Sequence, residues 1–146
     1  TMYWRKMLMA LGVPLPKNVY AHGWWTVEGE KMSKSRGNVV NPIHLIETFG
    51  VDPVRYFLLR EVTFGLDGDF SYKALIHRIN GDLANDLGNL TTRGLSMINR
   101  YFGGVIPEPD ENTALENEIK KLIVETVADY NRFFKELAFN KILTSV

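Results

Sequence analysis

Residues 71–102 read SYKALIHRINGDLANDLGNLTTRGLSMINRYF. Within them Ile76, Ile79, Leu83, Leu87, Leu90 and Met97 recur at steps built of three and four, the spacing that aligns side chains on one face of a helix. One long helix is expected, and it makes the chain mainly α. At about 100° per residue, Arg78, Asp82, Asn85, Asn89, Arg93, Ser96 and Arg100 fall in a second, narrow stripe. A face turned to water is usually built from Glu, Lys and Gln; two asparagines, poor helix formers, are an odd choice for one. Arg and Asn on one face suit hydrogen bonding to splayed single-stranded bases. The alternative is a polar face that meets solvent or a neighbouring helix. Gly81 and Gly88 lie two turns apart, and a close approach by a second helix or a ligand backbone would account for them.

Beyond this helix, Pro107 and Pro109 interrupt the chain, and Thr113 with Glu116 forms a capping box. It opens a helix through Leu115, Ile119, Leu122, Tyr130, Phe133 and Leu137, and another begins at Phe139. Before residue 71, the segment 64–69 is too rich in Gly and Asp to be regular. Asn41-Pro42 and Asp52-Pro53 are helix starts, each a capping side chain followed by a proline whose missing N–H costs nothing there. Gly50 stops the first of these helices, and Tyr56, Phe57 and Leu59 bury the second. Residues 19–22 and 24–27 are β-prone, and Glu28-Gly29 is where the second must turn back, so a small hairpin is expected. The opening residues place Trp4, Met7, Leu8 and Leu11 on one face and Gly12 at the stop of a short helix. Both ends, Thr1 and Val146, fall inside helical patterns, so the chain is expected to be a piece of a longer polypeptide. The boundary lies within residues 62–70: a small β/α unit over 1–62, then an antiparallel helical bundle over 63–146.

Composition narrows the function classes. The 146 residues carry 17 Lys and Arg against 17 Asp and Glu, a net charge of zero, which excludes a wholly basic nucleic-acid coat. A hydrophobic content of 45% excludes a disordered chain. No cysteine occurs, which removes disulfides, thiolate zinc sites and cysteine nucleophiles. The apolar runs are too short for a membrane span or a signal peptide. Residues 1–50 hold six cations and three anions, with Lys31, Lys34 and Arg36 gathered around one loop, so a small anion fits this end better than a duplex.

That loop is Lys31-Met32-Ser33-Lys34-Ser35-Arg36-Gly37-Asn38. Two ammonium groups, two hydroxyls and flanking glycines can wrap a polyphosphate. A basic turn that only meets water is the alternative. The letters decide more: Lys31-Met32-Ser33-Lys34-Ser35 matches the second signature of the class I aminoacyl-tRNA synthetases. Around it, His22-Gly23-Trp24-Trp25-Thr26-Val27-Glu28-Gly29, Arg36-Gly37-Asn38-Val39-Val40-Asn41-Pro42, Asp67-Gly68-Asp69-Phe70-Ser71 and Leu87-Gly88-Asn89-Leu90 with Arg93 resemble bacterial-type methionyl-tRNA synthetases. The likeness is dense to about residue 104 and thin beyond.

The resemblance implies that the loop closes over ATP, brought in with Mg2+, as methionine attacks the α-phosphate to give methionyl-adenylate. It assigns Lys34 the main catalytic role, Lys31 a positioning role, Ser33 and Ser35 support of the loop, and His22 and Gly23 places beside the nucleotide. By residue type alone, His22 is equally a strand-end histidine with a satisfied hydrogen bond. The resemblance makes the long helix the start of an anticodon-binding domain, with Asn89 and Arg93 reading the anticodon of tRNA(Met). The parent is then a cytoplasmic methionine–tRNA ligase, with no metal ligands in these residues and no DNA or membrane partner. The other signature, His-Ile-Gly-His, is absent here, and the methionine pocket is expected mainly upstream, so the chain alone is expected to be inactive. The rival readings are a stand-alone helical tRNA-binding module without catalysis and a sister synthetase for another apolar amino acid.

Overall fold

The structure, a computed structural model, describes residues 2–109 and 113–145. The expectations about Thr1 and Val146 lie outside the described residues. The elements are α1 (Met2–Ala10), β1 (Trp25–Val27), β2 (Glu30–Lys31), a 3-10 turn (Lys34–Arg36), α2 (Pro42–Phe49) and α3 (Val51–Glu61). They continue with β3 (Gly68–Phe70), α4 (Tyr72–Arg78), a π-helix (Ile79–Gly88), α5 (Asn89–Phe102), α6 (Ala114–Lys135) and α7 (Phe139–Ser145). The chain is mainly α, as expected.

The expected hairpin is one edge of something larger. β1 pairs antiparallel with β2 and parallel with β3, in the order β2-β1-β3. Residues 19–22 form no strand, and the segment read as irregular supplies the third one. Its turn residues misled because they do tertiary work: a Cβ on Gly68 would fall 2.3 Å from the Val62 side chain and 3.2 Å from the Trp25 ring. The hairpin turn has Glu28 and Gly29 both at positive φ, 51° and 78°, the geometry of a two-residue connection that matches strand twist.

The core is Leu45, Val54, Phe57, Phe70 and Leu75, with Trp25 and Val27 packed against it. Phe57 is 1% exposed; its ring stands edge-on to Phe70 at 5.7 Å and tilted to Trp25 at 6.1 Å. On α4 the buried residue is Leu75, whereas Ile76 is exposed, so the periodicity placed the inner face one residue off. Ser71 explains it: its Oγ accepts from Ala74 N at 3.1 Å and fixes the start of the helix directly after β3.

Asn41 caps α2, accepting from Ile43 N at 2.9 Å, with Pro42 at its first position. The second start lies slightly earlier than Asp52-Pro53: Gly50, at φ 87°, turns the chain and α3 begins at once with Val51. Pro53 is still tolerated, because the first four N–H groups of a helix have no partner within it. Thr113 and Glu116 form the capping box of α6. α7 follows α6 and packs on α3, while Leu95 and Met97 of α5 and Leu122 and Ile123 of α6 stay exposed.

Phe57→Ala should destabilise the chain by about 3–5 kcal/mol, the range for losing a buried aromatic. Chemical denaturation measures it; a loss under about 1 kcal/mol would show that the core is not centred on this ring.

Candidate functional site

The loop after β2 is clipped from within. Asn38 Oδ1 accepts from Ser33 N at 2.8 Å, and Asn38 Nδ2 donates to Lys31 O at 3.2 Å, so one side chain ties both ends of the Lys31–Ser33 segment. Gly37, at φ 70°, ends the 3-10 turn and donates to Lys34 O. The hydroxyls of Ser33 and Ser35 lie 2.7 Å apart. Arg36 is paired with Glu30 at 2.9 Å, both well exposed. Lys31 Nζ sits 6.0 Å from the centre of the Trp24 ring, at the rim of a cation–π contact. Lys34 is exposed, and its ammonium group has no hydrogen bond or ion pair among the described residues. The loop thus has a held base and a free cation at its turn. Sequence reading quoted Asn38 but gave it no task; an asparagine directly after a left-handed glycine was the available signal.

The hairpin carrying this loop is braced by β3. Asp69 Oδ1 accepts from Thr26 Oγ1 at 2.6 Å and from Gly29 N at 2.7 Å, so its carboxylate grips both β1 and the turn. Asp67 Oδ1 accepts from Trp24 N at 2.7 Å, and Trp24 O accepts from Gly68 N at 2.8 Å. At Gly23 a Cβ would fall 2.0 Å from Leu66 O, so this glycine is where two backbones meet. His22 Nδ1 lies 2.8 Å from Gly23 O; a carbonyl only accepts, so Nδ1 carries the proton in this contact.

Two cavities flank β1. One, about 470 Å³, is lined by Trp24, Trp25, Thr26, Lys31 and Met32. The other, about 250 Å³, holds His22 and Gly23 with apolar residues of α3, the following loop and Phe139. Lys31, Ser33, Lys34 and Ser35 are therefore together in one loop, while His22 and Gly23 line the second cavity, which shares only Trp25 with the first.

The long helix is continuous but not uniformly α, and this divides the polar stripe. Asp82, inside the π-helix, accepts from Tyr56 Oη at 2.7 Å and lies 3.4 Å from Arg78 Nη1 and 3.7 Å from Arg60 Nε. Arg78 Nε also donates to Glu61 at 2.8 Å. Burial, then the hydrogen bond to Asp82, pushes the Tyr56 phenol above its ordinary range. Arg78 and Asp82 thus face α3. Asn89 and Arg93 are exposed, and their side chains have no hydrogen bond or ion pair among the described residues. A Cβ on Gly81 would meet nothing, and one on Gly88 would meet Leu83 O of its own helix at 3.1 Å, so neither glycine admits a neighbouring element. Among the described residues no cluster of three His, Asp or Glu side chains is placed to hold a metal ion, and no helix is long and apolar enough to cross a membrane.

A lysine-serine loop on a braced hairpin, followed by helices, is the arrangement of a class I synthetase, and the family model described as "tRNA synthetases class I (M)" matches residues 1–95. The chain belongs to this methionyl-tRNA synthetase family. It is 50% identical over 146 residues to a methionine–tRNA ligase of Caldanaerobacter subterraneus subsp. tengcongensis, spanning all of this chain and 23% of that protein. The methionyl-tRNA synthetase of Mycobacterium tuberculosis, solved in complex with methionyl-adenylate, matches with a TM-score of 0.90 and 44% identity, over 98% of this chain and 28% of that one. A LeuRS–tRNA complex from Agrobacterium radiobacter, at 22% identity and a TM-score of 0.75 over 98% of this chain and 18% of that one, shares the fold.

Hydrogen bonds from Thr26 and then Gly29 hold the Asp69 carboxyl below its ordinary range. A carboxylate favoured in the folded state stabilises it fully above its unfolded pKa of about 3.9, and that contribution is lost as pH falls through the lower folded value. The stability difference between the native chain and Asp69→Asn should therefore hold steady from neutral pH to about 4 and shrink below it. Urea melts across this range measure it; a difference indifferent to pH would show that the charge is not what grips the turn.

Proposed function

We propose that these residues work as part of a cytoplasmic methionine–tRNA ligase, supplying the loop that acts on ATP and the first helices of the domain that reads tRNA(Met). The division near residue 62 belongs to this reading, with α7 returning across it to α3. In the reaction, a carboxylate oxygen of methionine bonds to the α-phosphorus of ATP while the bond to the bridging oxygen breaks and pyrophosphate leaves. A terminal hydroxyl of the tRNA then attacks the carbonyl carbon of the adenylate, forming the methionyl ester while the bond to the phosphate oxygen breaks and AMP leaves. Negative charge grows on the departing phosphates, and Mg2+ arrives with them as part of the substrate.

The observation that carries the reading is Lys34, an unpaired cation on a turn whose base is fixed by Asn38 and Gly37. A charge that reaches the phosphates as they separate lowers the barrier without tightening the ground state. Lys31 at the loop's start positions it, and the paired hydroxyls of Ser33 and Ser35 stiffen it. His22 and Gly23 take places beside the nucleotide, and Gly23 also lets the chain pass against Leu66 just before β1. Asn89 and Arg93, one helical turn apart and free, face adjacent unstacked bases of the anticodon.

In the full-length enzyme, Lys34→Ala should slow methionine-dependent pyrophosphate exchange by about a hundredfold to a thousandfold, with methionine affinity near normal and Lys31→Ala milder. A raised KM with unchanged turnover would make the loop a ground-state binding element instead. Arg93→Ala should lower tRNA charging and weaken the preference for a CAU anticodon over a one-base variant by about 1–3 kcal/mol, taking base readout in DNA as the guide. Equal losses for both anticodons would return the stripe to a structural role.

A further inference from the structure

Ile79–Gly88 is ten residues of π-helix, a geometry that usually persists for single turns and appears in functional segments. Its hydrogen bonds reach one residue further than in an α-helix; Asn89 N donates to Ala84 O, five residues back. Each turn thus holds more residues, and the helix beyond it is rotated from where an unbroken α-helix would place it. On an α-helical wheel Arg78, Asp82, Asn89 and Arg93 share a face. In the structure the first two are turned into α3, and the last two stand in solvent without partners.

We propose that Asp82 is a positioning residue for RNA reading: its contacts to Tyr56, Arg60 and Arg78 hold the π-helix in place and so set the rotation at which Asn89 and Arg93 are presented. This rests on the reading of that pair as anticodon contacts. Three features support it. Asp82 is the one residue within the π-helix that bonds to α3 through its side chain among the described residues. Two of its three partners, Tyr56 and Arg60, come from successive turns of α3, so a shift of the helix by one residue along α3 would break both, while Arg78, one turn back on the same helix, carries the Asp82 network on to Glu61. Arg60 Nε is buried with no hydrogen bond, although the side chain as a whole is partly exposed, so the Asp82 charge 3.7 Å away is what that N–H faces, and removing it leaves a buried donor without compensation. Gly88 fits the same segment: a Cβ there would lie 3.1 Å from Leu83 O, five residues back in the helix.

The test uses the full-length enzyme with Asp82→Ala, Tyr56→Phe, Arg93→Ala and the double variant Asp82→Ala/Arg93→Ala. Pyrophosphate exchange, KM and kcat for tRNA charging, and the preference for CAU over a one-base variant are measured for each. Asp82→Ala should keep pyrophosphate exchange within about twofold, raise the KM for tRNA, and weaken the anticodon preference by about fivefold to a hundredfold, the worth of a base contact. Tyr56→Phe, which removes one hydrogen bond and little volume, should do the same more weakly. The double variant should lose less discrimination than the two single losses added together, because Asp82→Ala acts in part through Arg93; fully additive losses would show that Asp82 does not act through that side chain and would overturn the proposal. If Arg93→Ala weakens the preference and Asp82→Ala does not, the positioning role fails while the anticodon reading stands. Loss of exchange and charging in equal measure with Asp82→Ala would make the residue a general support and also overturn the proposal. If Arg93→Ala leaves the preference intact, the anticodon reading falls and the proposal with it.

Discussion

A three-residue parallel pairing holds the rest of this structure in place. Trp25, Thr26 and Val27 lie beside Gly68, Asp69 and Phe70, and parallel strands need a crossover between them. That crossover contains the hairpin, the lysine loop, α2 and α3. Closing it brings Phe70 onto Phe57 and Leu75, burying the core, and puts the Asp67 and Asp69 carboxylates against the backbone that leads into the loop. Stability and site geometry therefore depend on one short ladder. A conventional core with a separately anchored loop would allow the loop to shift without cost; here the strand that carries the loop is also packed on the aromatic cluster.

The elements that local chemistry specifies were legible in the sequence. Asn41-Pro42 and the Thr113–Glu116 box cap helices as read, because a cap is satisfied within a few residues of itself; the cap at Ser71 was not among those read. The lysine loop was legible by its letters. β3 was not, since its residues were chosen for partners about forty positions away: Gly68 to admit Trp25, Asp69 to hold Thr26 and Gly29. Read locally, the same residues spell a turn. Asn38 was hidden for a related reason: its work, tying Ser33 to Lys31, exists only once the loop has closed.

The stripe on the long helix shows a different limit. A helical wheel assumes one rotation per residue, and the π-helix breaks that assumption in the middle of the pattern. Arg78 and Asp82 share their wheel position with Asn89 and Arg93, yet the two pairs have opposite surroundings, ion pairs against α3 for one and solvent for the other. Nothing in residue spacing announces a π-helix. The nearest sign was Gly88, which costs helix propensity of about 1 kcal/mol relative to alanine.

A loop that contributes to catalysis by meeting charge as it forms faces two opposing demands. It must be ordered enough that closing costs little entropy, and its cation must have no better partner in the open state, since any such partner would have to be given up in the transition state. The cations of the loop divide along this line. Arg36 and Lys31 each have a neighbour, a carboxylate and an aromatic face, while Lys34 has none among the described residues. Order is supplied by the neutral groups, the Asn38 amide and the serine hydroxyls, which hold the turn without competing for the ammonium. In the proposed role this makes the choice of asparagine rather than aspartate at position 38 significant: an aspartate could accept from Ser33 N but could not donate to Lys31 O, and its charge would sit beside the cation that the phosphates need.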